Sequence, residues 1–201
     1  FTYEATITPL SGSEAGLVFR AGEFGQSPQG LVGYYIGIFG NKLQLLKTQG
    51  IDFPYVMGNS AAYSFNREYN RPYRLKVEAV GANIKIYLDG VKVIDVTDTE
   101  TPDGVPVYTD AGSFGFRTYN GSGCFSNVKI SDAQGNVVFE ESNLEEYGKT
   151  FGGDWSYKTL PIDQSAGFQD TSVTSSIRIT SGQEAGLAVK ASGTDVTAST
   201  F

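Results

Sequence analysis

The chain has 201 residues, 40% apolar and 18% charged, which is enough for a packed core and too little charge for a disordered polymer. Its 22 acidic and 15 basic residues give a net charge of −7 with no Lys/Arg cluster, which excludes a nucleic-acid backbone or an anionic membrane surface as a partner. It holds no histidine and a single cysteine, Cys124, so His-dependent nucleophilic or zinc chemistry and an intrachain disulfide are both impossible within it.

No apolar run reaches the ~18 residues that a membrane-spanning helix needs. The dominant period is two, which marks strands. In residues 1–8 (FTYEATIT), Tyr3, Ala5 and Ile7 share one face and Glu4 and Thr6 the other. In residues 16–21 (GLVFRA), Leu17 and Phe19 face away from Val18 and Arg20. Residues 33–39 (GYYIGIF) set Tyr34, Ile36 and Ile38 against Tyr35, and a Gly-Asn turn leads into residues 41–47 (NKLQLLK). The polar, aromatic stretch 48–71 reads as a long loop with room for a short strand. Residues 73–81, 83–90 and 91–96 form a meander with an Asp89-Gly90 hairpin turn. An acidic, Pro-bearing loop covers 97–111. Residues 112–120 (GSFGFRTYN) turn Phe114 and Phe116 inward and Arg117 and Tyr119 outward, and residues 124–131 (CFSNVKIS) close the meander. A short strand follows at 137–139. Many strands, short turns and no helix period predict an all-β antiparallel jelly-roll sandwich.

Residues 1–144 read as one β-sandwich module that lacks its first strand, and 145–153 as a charged, Gly-rich linker. Beyond it the chain copies itself: SGSEAGLVFRA at 11–21 returns as SGQEAGLAVKA at 181–191, inside a matching strand–turn–strand context. Residues 154–201 are therefore either the start of a second copy or the strands that complete the first. The chain opens at Phe1 inside a strand pattern and without Met, which reads as a piece of something longer or a product of processing.

Four strings carry a resemblance: FTYEATITPLSGSEAGLVFRAG, GYYIGIFGNKLQLLK, YRLKVEAVGANIKIYLDGVKVIDVTD and GSFGFRTYNGSGCFSNVKIS. In this order, over residues 1–131, they resemble the fructan-binding modules of carbohydrate-binding family 66. More loosely they resemble the concanavalin-like or laminin-G-like sandwiches beside secreted glycoside hydrolases. DWSYK, at 154–158, resembles the opening strand of such a module starting again. The resemblance implies a non-catalytic module that holds a terminal fructose in a small pocket. By motif position it assigns Glu4, Arg20 and Tyr35 to that pocket. The second copy has Thr174 and Lys190 where the first has Glu4 and Arg20.

Read as chemistry, Glu4 and Arg20 both lie on the polar side of their strands. On adjacent antiparallel strands they would stand side by side, either gripping sugar hydroxyls or forming a plain surface ion pair. Tyr35, Arg117 and Tyr119 are outward too; a tyrosine face suits the C–H face of a sugar ring and equally well serves as sheet cover. Asn120 follows in a loop and opens an N-glycosylation sequon, Asn120-Gly121-Ser122. The lone tryptophan, Trp155, reads as an anchor of its strand. No carboxylate pair has a spacing that points to glycosidase chemistry. No catalytic residue, cofactor or metal site is assigned, with a structural Ca²⁺ on the acidic loop at Asp98, Asp103 and Asp110 left open. The expectation is a secreted or cell-surface module that binds a polysaccharide or oligosaccharide and targets a covalently linked glycoside hydrolase. The alternatives are a catalytic sandwich glycosidase or lyase, and an adhesion or spacer repeat.

Overall fold

The computed structural model describes residues 1–22, 32–49, 55–56, 61–99, 104–142 and 151–159. Every regular element among them is a strand: β1 (Thr2–Ala21), β2 (Val32–Phe39), β3 (Lys42–Gln49), β4 (Tyr55–Val56), β5 (Ala62–Ser64), β6 (Tyr73–Val80), β7 (Asn83–Leu88), β8 (Val91–Thr97), β9 (Ser113–Ser131), β10 (Val137–Glu141) and β11 (Phe151–Thr159). All pairings are antiparallel, as the period-two reading predicts.

Two long strands organise the molecule. The sequence reads β1 and β9 as two strands each, and both are continuous. They pair with one another from Thr2↔Ser131 to Ala21↔Ser113 and bend together where Gly12 meets Gly121. The glycines permit the bend: Gly12 sits at φ 81°, and a methyl group there would strike the Asn120 carbonyl at 1.9 Å. Before the bend β1 pairs with β6, and after it with β2. One layer is therefore β10, the C-terminal half of β9, the start of β1, β6, β7 and β8. The other is β11, the N-terminal half of β9, the end of β1, β2 and β3, with β4 and β5 along β3. The sheet folds over on itself as a β-sandwich, the fold class expected.

The core lies between the layers. Tyr3, Ile7, Leu75, Val77, Ile86 and Ile130 from the first layer meet Leu17, Phe19, Tyr34, Ile36, Phe114 and Phe116 from the second. Ring contacts cross the gap, with Tyr3 edge-on to Phe114 at 5.3 Å and Phe116 stacked on Phe125 at 4.3 Å. Each such side chain contributes about 1.5–3 kcal/mol by leaving water. The Asp89-Gly90 turn has both residues at positive φ, 50° and 85°, as a tight hairpin requires. The segment read as a long loop holds β4 and β5. Strand β11 begins inside the stretch read as a linker and runs along β9. Residues 181–191, the repeat, lie outside the described residues.

Candidate functional site

The outward face of the second layer carries a cluster that is neither core nor ordinary surface. Strand register builds it in rows. Glu14 on β1 stands between Phe39 on β2 and Tyr119 on β9; Gly16 stands between Gly37 and Arg117; Val18 stands between Tyr35 and Gly115. The Arg117 guanidinium pairs with the Glu14 carboxylate. It also lies 4.4 Å from the centre of the Tyr35 ring and 6.0 Å from that of Tyr119. Glu14 is 3% exposed, Arg117 5% and Tyr35 1%. Phe39 and Tyr119, on either side of Glu14, are half-buried and form the rim. Val18, Leu46 and Phe39 wall in Tyr35, with Phe39 edge-on to its ring at 5.7 Å.

Two glycines make this packing possible. A Cβ on Gly37 would lie 2.4 Å from the Tyr35 hydroxyl oxygen and 2.6 Å from its ring. A Cβ on Gly16 would lie 2.1 Å from the Ile36 carbonyl oxygen. The pair forms a floor on which the tyrosine ring lies flat while the guanidinium reaches over from β9. Gly37→Ala should push the Tyr35 ring off this floor. Its stability cost is expected to be about 1–3 kcal/mol by overpacking. The structural check is loss of the Tyr35–Arg117 contact in a crystal structure of the variant.

Chemically, the cluster offers a carboxylate that accepts, a guanidinium that donates in a planar fork, and aromatic faces on both sides. That set suits adjacent hydroxyls on a small polar ring. Holding an ion pair out of water is expensive, and the cation–π contact offsets part of the desolvation of Arg117.

Of the residues singled out from sequence, Tyr35, Arg117 and Tyr119 come together here. Asn120 is their exposed neighbour at the bend, in the left-handed region at φ 43°. Glu4 and Arg20 do not join them, and they do not stand side by side. Both are on β1, and the bend carries them to different layers. Glu4 lies on the outer face of the first layer, in register between Lys76 and Lys129, and pairs with the exposed Arg74 at 2.6 Å. Arg20 leaves the strand alternation at a bulge between Val18 and Ala21, with φ 47°. Its Nη1 donates to the carbonyls of Gly81 at 2.8 Å and Tyr108 at 2.9 Å, and its guanidinium lies 5.4 Å from the centre of the Phe1 ring. It fastens the end of the sandwich. Burial pulls its pKa down from the usual arginine value. Arg20→Ala should therefore lower stability by roughly 2–3 kcal/mol through two charge-assisted hydrogen bonds. Ligand affinity should not change, as a thermal melt run beside calorimetry will show.

Glu14 escaped the sequence reading because that strand was started at Gly16. Its signals were its parity with Val18, opposite Ala15 and Leu17, and its place in the Glu-Ala-Gly-Leu string that returns at 184–187.

A second polar cluster sits inside, at one end of the core. Lys47, 0% exposed, donates to Asp98 Oδ1 at 2.9 Å and Oδ2 at 3.0 Å, and to the carbonyls of Thr99 and Val105. The Tyr34 hydroxyl donates to Asp98 Oδ2 at 2.6 Å. Burial, then this hydrogen bond to a carboxylate, pushes the Tyr34 pKa well up. Asp98, weighed from sequence as a calcium ligand, thus has both oxygens committed to protein donors. Asp103 lies outside the described residues. No group of three or more metal-ligating side chains occurs among the described residues.

No family model matches the chain. Over 134 residues it is 32% identical to the levanase of Bacillus subtilis (strain 168), a match that spans 64% of this chain and 17% of that protein. In structure it is similar to the carbohydrate-binding module CBM66 from Bacillus subtilis, with 28% sequence identity and a TM-score of 0.51 over 64% of this chain and 72% of that one. The strand motifs and these two likenesses agree: the chain carries a β-sandwich of the kind found in carbohydrate-binding module family 66.

Proposed function

We propose that this chain is a non-catalytic carbohydrate-binding module and that its ligand is the end or a short stretch of a fructan. The observation that carries the reading is the Arg117–Glu14 pair lying beside Tyr35 on an outward sheet face, in a chain similar to CBM66. An apolar pair would fill the same space at lower desolvation cost. A buried charged pair flanked by half-open aromatic rims is what a sugar-hydroxyl site needs: charge-assisted hydrogen bonds for direction and ring faces for the sugar's C–H groups. The ligand would enter between Phe39 and Tyr119 and exchange part of the ion-pair hydrogen bonding for bonds to its own hydroxyls.

The match to a levanase over a small share of that protein supports a module tethered to a larger, secreted enzyme. Its contribution would be effective concentration, since a catalytic domain held at the polymer meets more substrate than a free one. The test is calorimetric titration with levan, inulin, arabinan, xylan and β-glucans, with product analysis in parallel. Binding to a fructan without released sugar is expected, unchanged after dialysis against a chelator. Released sugar would favour a catalytic sandwich instead. Silence against every glycan would remove the reading.

A further inference from the structure

Strand β11 changes what the binding face consists of. It runs antiparallel to β9 from Phe151↔Gly123 to Thr159↔Gly115. Trp155 is thereby the register partner of Tyr119, and Tyr157 that of Arg117. The row through Glu14 then reads Phe39, Glu14, Tyr119, Trp155 across β2, β1, β9 and β11. The next row reads Gly37, Gly16, Arg117, Tyr157. Directly opposed positions are the closest side-chain neighbours that a sheet provides. The chain's single tryptophan is thus placed at the end of the row that holds the candidate site's carboxylate.

In sequence, however, β11 is the lead-in to the second copy of the repeat, the DWSYK string that precedes residues 181–191. The β9 edge that it occupies is separate from the one taken by β10, which pairs at Val128–Ser131. Without β11, the Gly115–Gly123 edge would present open N–H and C=O groups. The pairing is rich in glycine, with Gly152 and Gly153 set against Ser122 and Gly121. Glycine strands hold by backbone hydrogen bonds and little side-chain packing, so β11 is bound more weakly than an internal strand.

We propose that the glycan site is composite: β11, the lead-in of one repeat, docks on the β9 edge of the preceding sandwich and supplies Trp155 and Tyr157 to the Glu14–Arg117 site. Occupation of the strand acceptor sets glycan affinity, and bound glycan in turn holds β11 in place, since such linkage is reciprocal. The inference rests on the carbohydrate-binding reading and deepens it.

The test uses the full chain, with the lone tryptophan as reporter. Titration with a levan-derived oligosaccharide should shift the Trp155 emission and saturate at the same affinity as calorimetry. Trp155→Ala should weaken binding by about tenfold, the scale of one aromatic contact, while Trp155→Phe retains most of it. Tyr157→Ala should also weaken it. If calorimetry detects glycan binding that Arg117→Lys weakens, yet the emission never moves and Trp155→Ala binds like the parent, the composite site is wrong and the Arg117 site stands. A parent chain that binds no glycan overturns both. Should Trp155→Ala fail to fold, the emission of the parent chain still decides.

Discussion

Arg117→Lys should weaken fructan binding by roughly 30- to 150-fold, about 2–3 kcal/mol, and the sandwich should still fold. The charge survives this change and the shape does not. A guanidinium is planar: it can lie by the Tyr35 ring at 4.4 Å, face Glu14 and still present donors to a ligand. An ammonium on a flexible stem meets Glu14 and little else. Arg117→Ala is the poorer experiment. It strands the Glu14 carboxylate, 3% exposed, and stranding a buried charge costs about 3–5 kcal/mol, so lost binding could be lost fold. Glu14→Gln keeps the side chain's volume and removes its charge, and should weaken binding by about tenfold or more. The two single variants and the double variant form a cycle. If both residues touch the same sugar, the losses should fall short of additive. Calorimetry gives the affinities and a thermal melt confirms the fold. Wild-type affinity in Arg117→Lys would move the ligand elsewhere on the molecule.

Much of the architecture was legible because half-buried strands write a period of two into the chain. Tyr3, Ala5 and Ile7, then Leu75, Val77 and Ala79, then Ile84, Ile86 and Leu88 are all buried as their alternation predicts. Local turn chemistry was legible for the same reason at Asp89-Gly90. What alternation cannot convey is which distant strands pair, and in what register. Glu14 and Arg117 meet only because β1 and β9 run together along their whole length, a fact no local window holds. The bends had a written cause in Gly12 and Gly121, but a glycine inside a strand pattern signals a break as readily as a bend. So β1 and β9 were each read as two strands, and Glu4 and Arg20 were expected to be neighbours when one continuous strand carries them to different layers. The Arg20 bulge misled further, since one residue at positive φ reverses the face that alternation assigns.

Asp98→Ala should unfold the protein at a temperature lower by roughly 6–20 °C, with its glycan affinity, measured well below the melt, nearly unchanged. The Lys47 ammonium is fully buried, and Asp98 is the only carboxylate it contacts among the described residues. Removing that carboxylate leaves a cation in the core with two carbonyls for company, at a cost of about 3–5 kcal/mol. For a chain of this size, each kcal/mol moves the midpoint by about 2–4 °C. The damage should spread along one line of hydrogen bonds. Tyr34 loses its acceptor; the Tyr108 amide donates to the Tyr34 hydroxyl at 3.1 Å, the Tyr108 hydroxyl donates to the Thr48 carbonyl at 2.9 Å, and the Tyr108 carbonyl accepts from Arg20. This line straps the segment after β8 across the end of β2 and β3. Asp98→Ala with Lys47→Met, which removes both charges, should recover a large part of the loss. A single variant that melts with the parent would mean that the pair contributes nothing to closing the core. Tyr34 and Tyr35 are consecutive on β2 and face opposite sides of the sheet, one tied to this cluster and the other beside Arg117. Stability and ligand binding are therefore carried on opposite faces of one strand, and changes at Asp98 and at Arg117 should separate them.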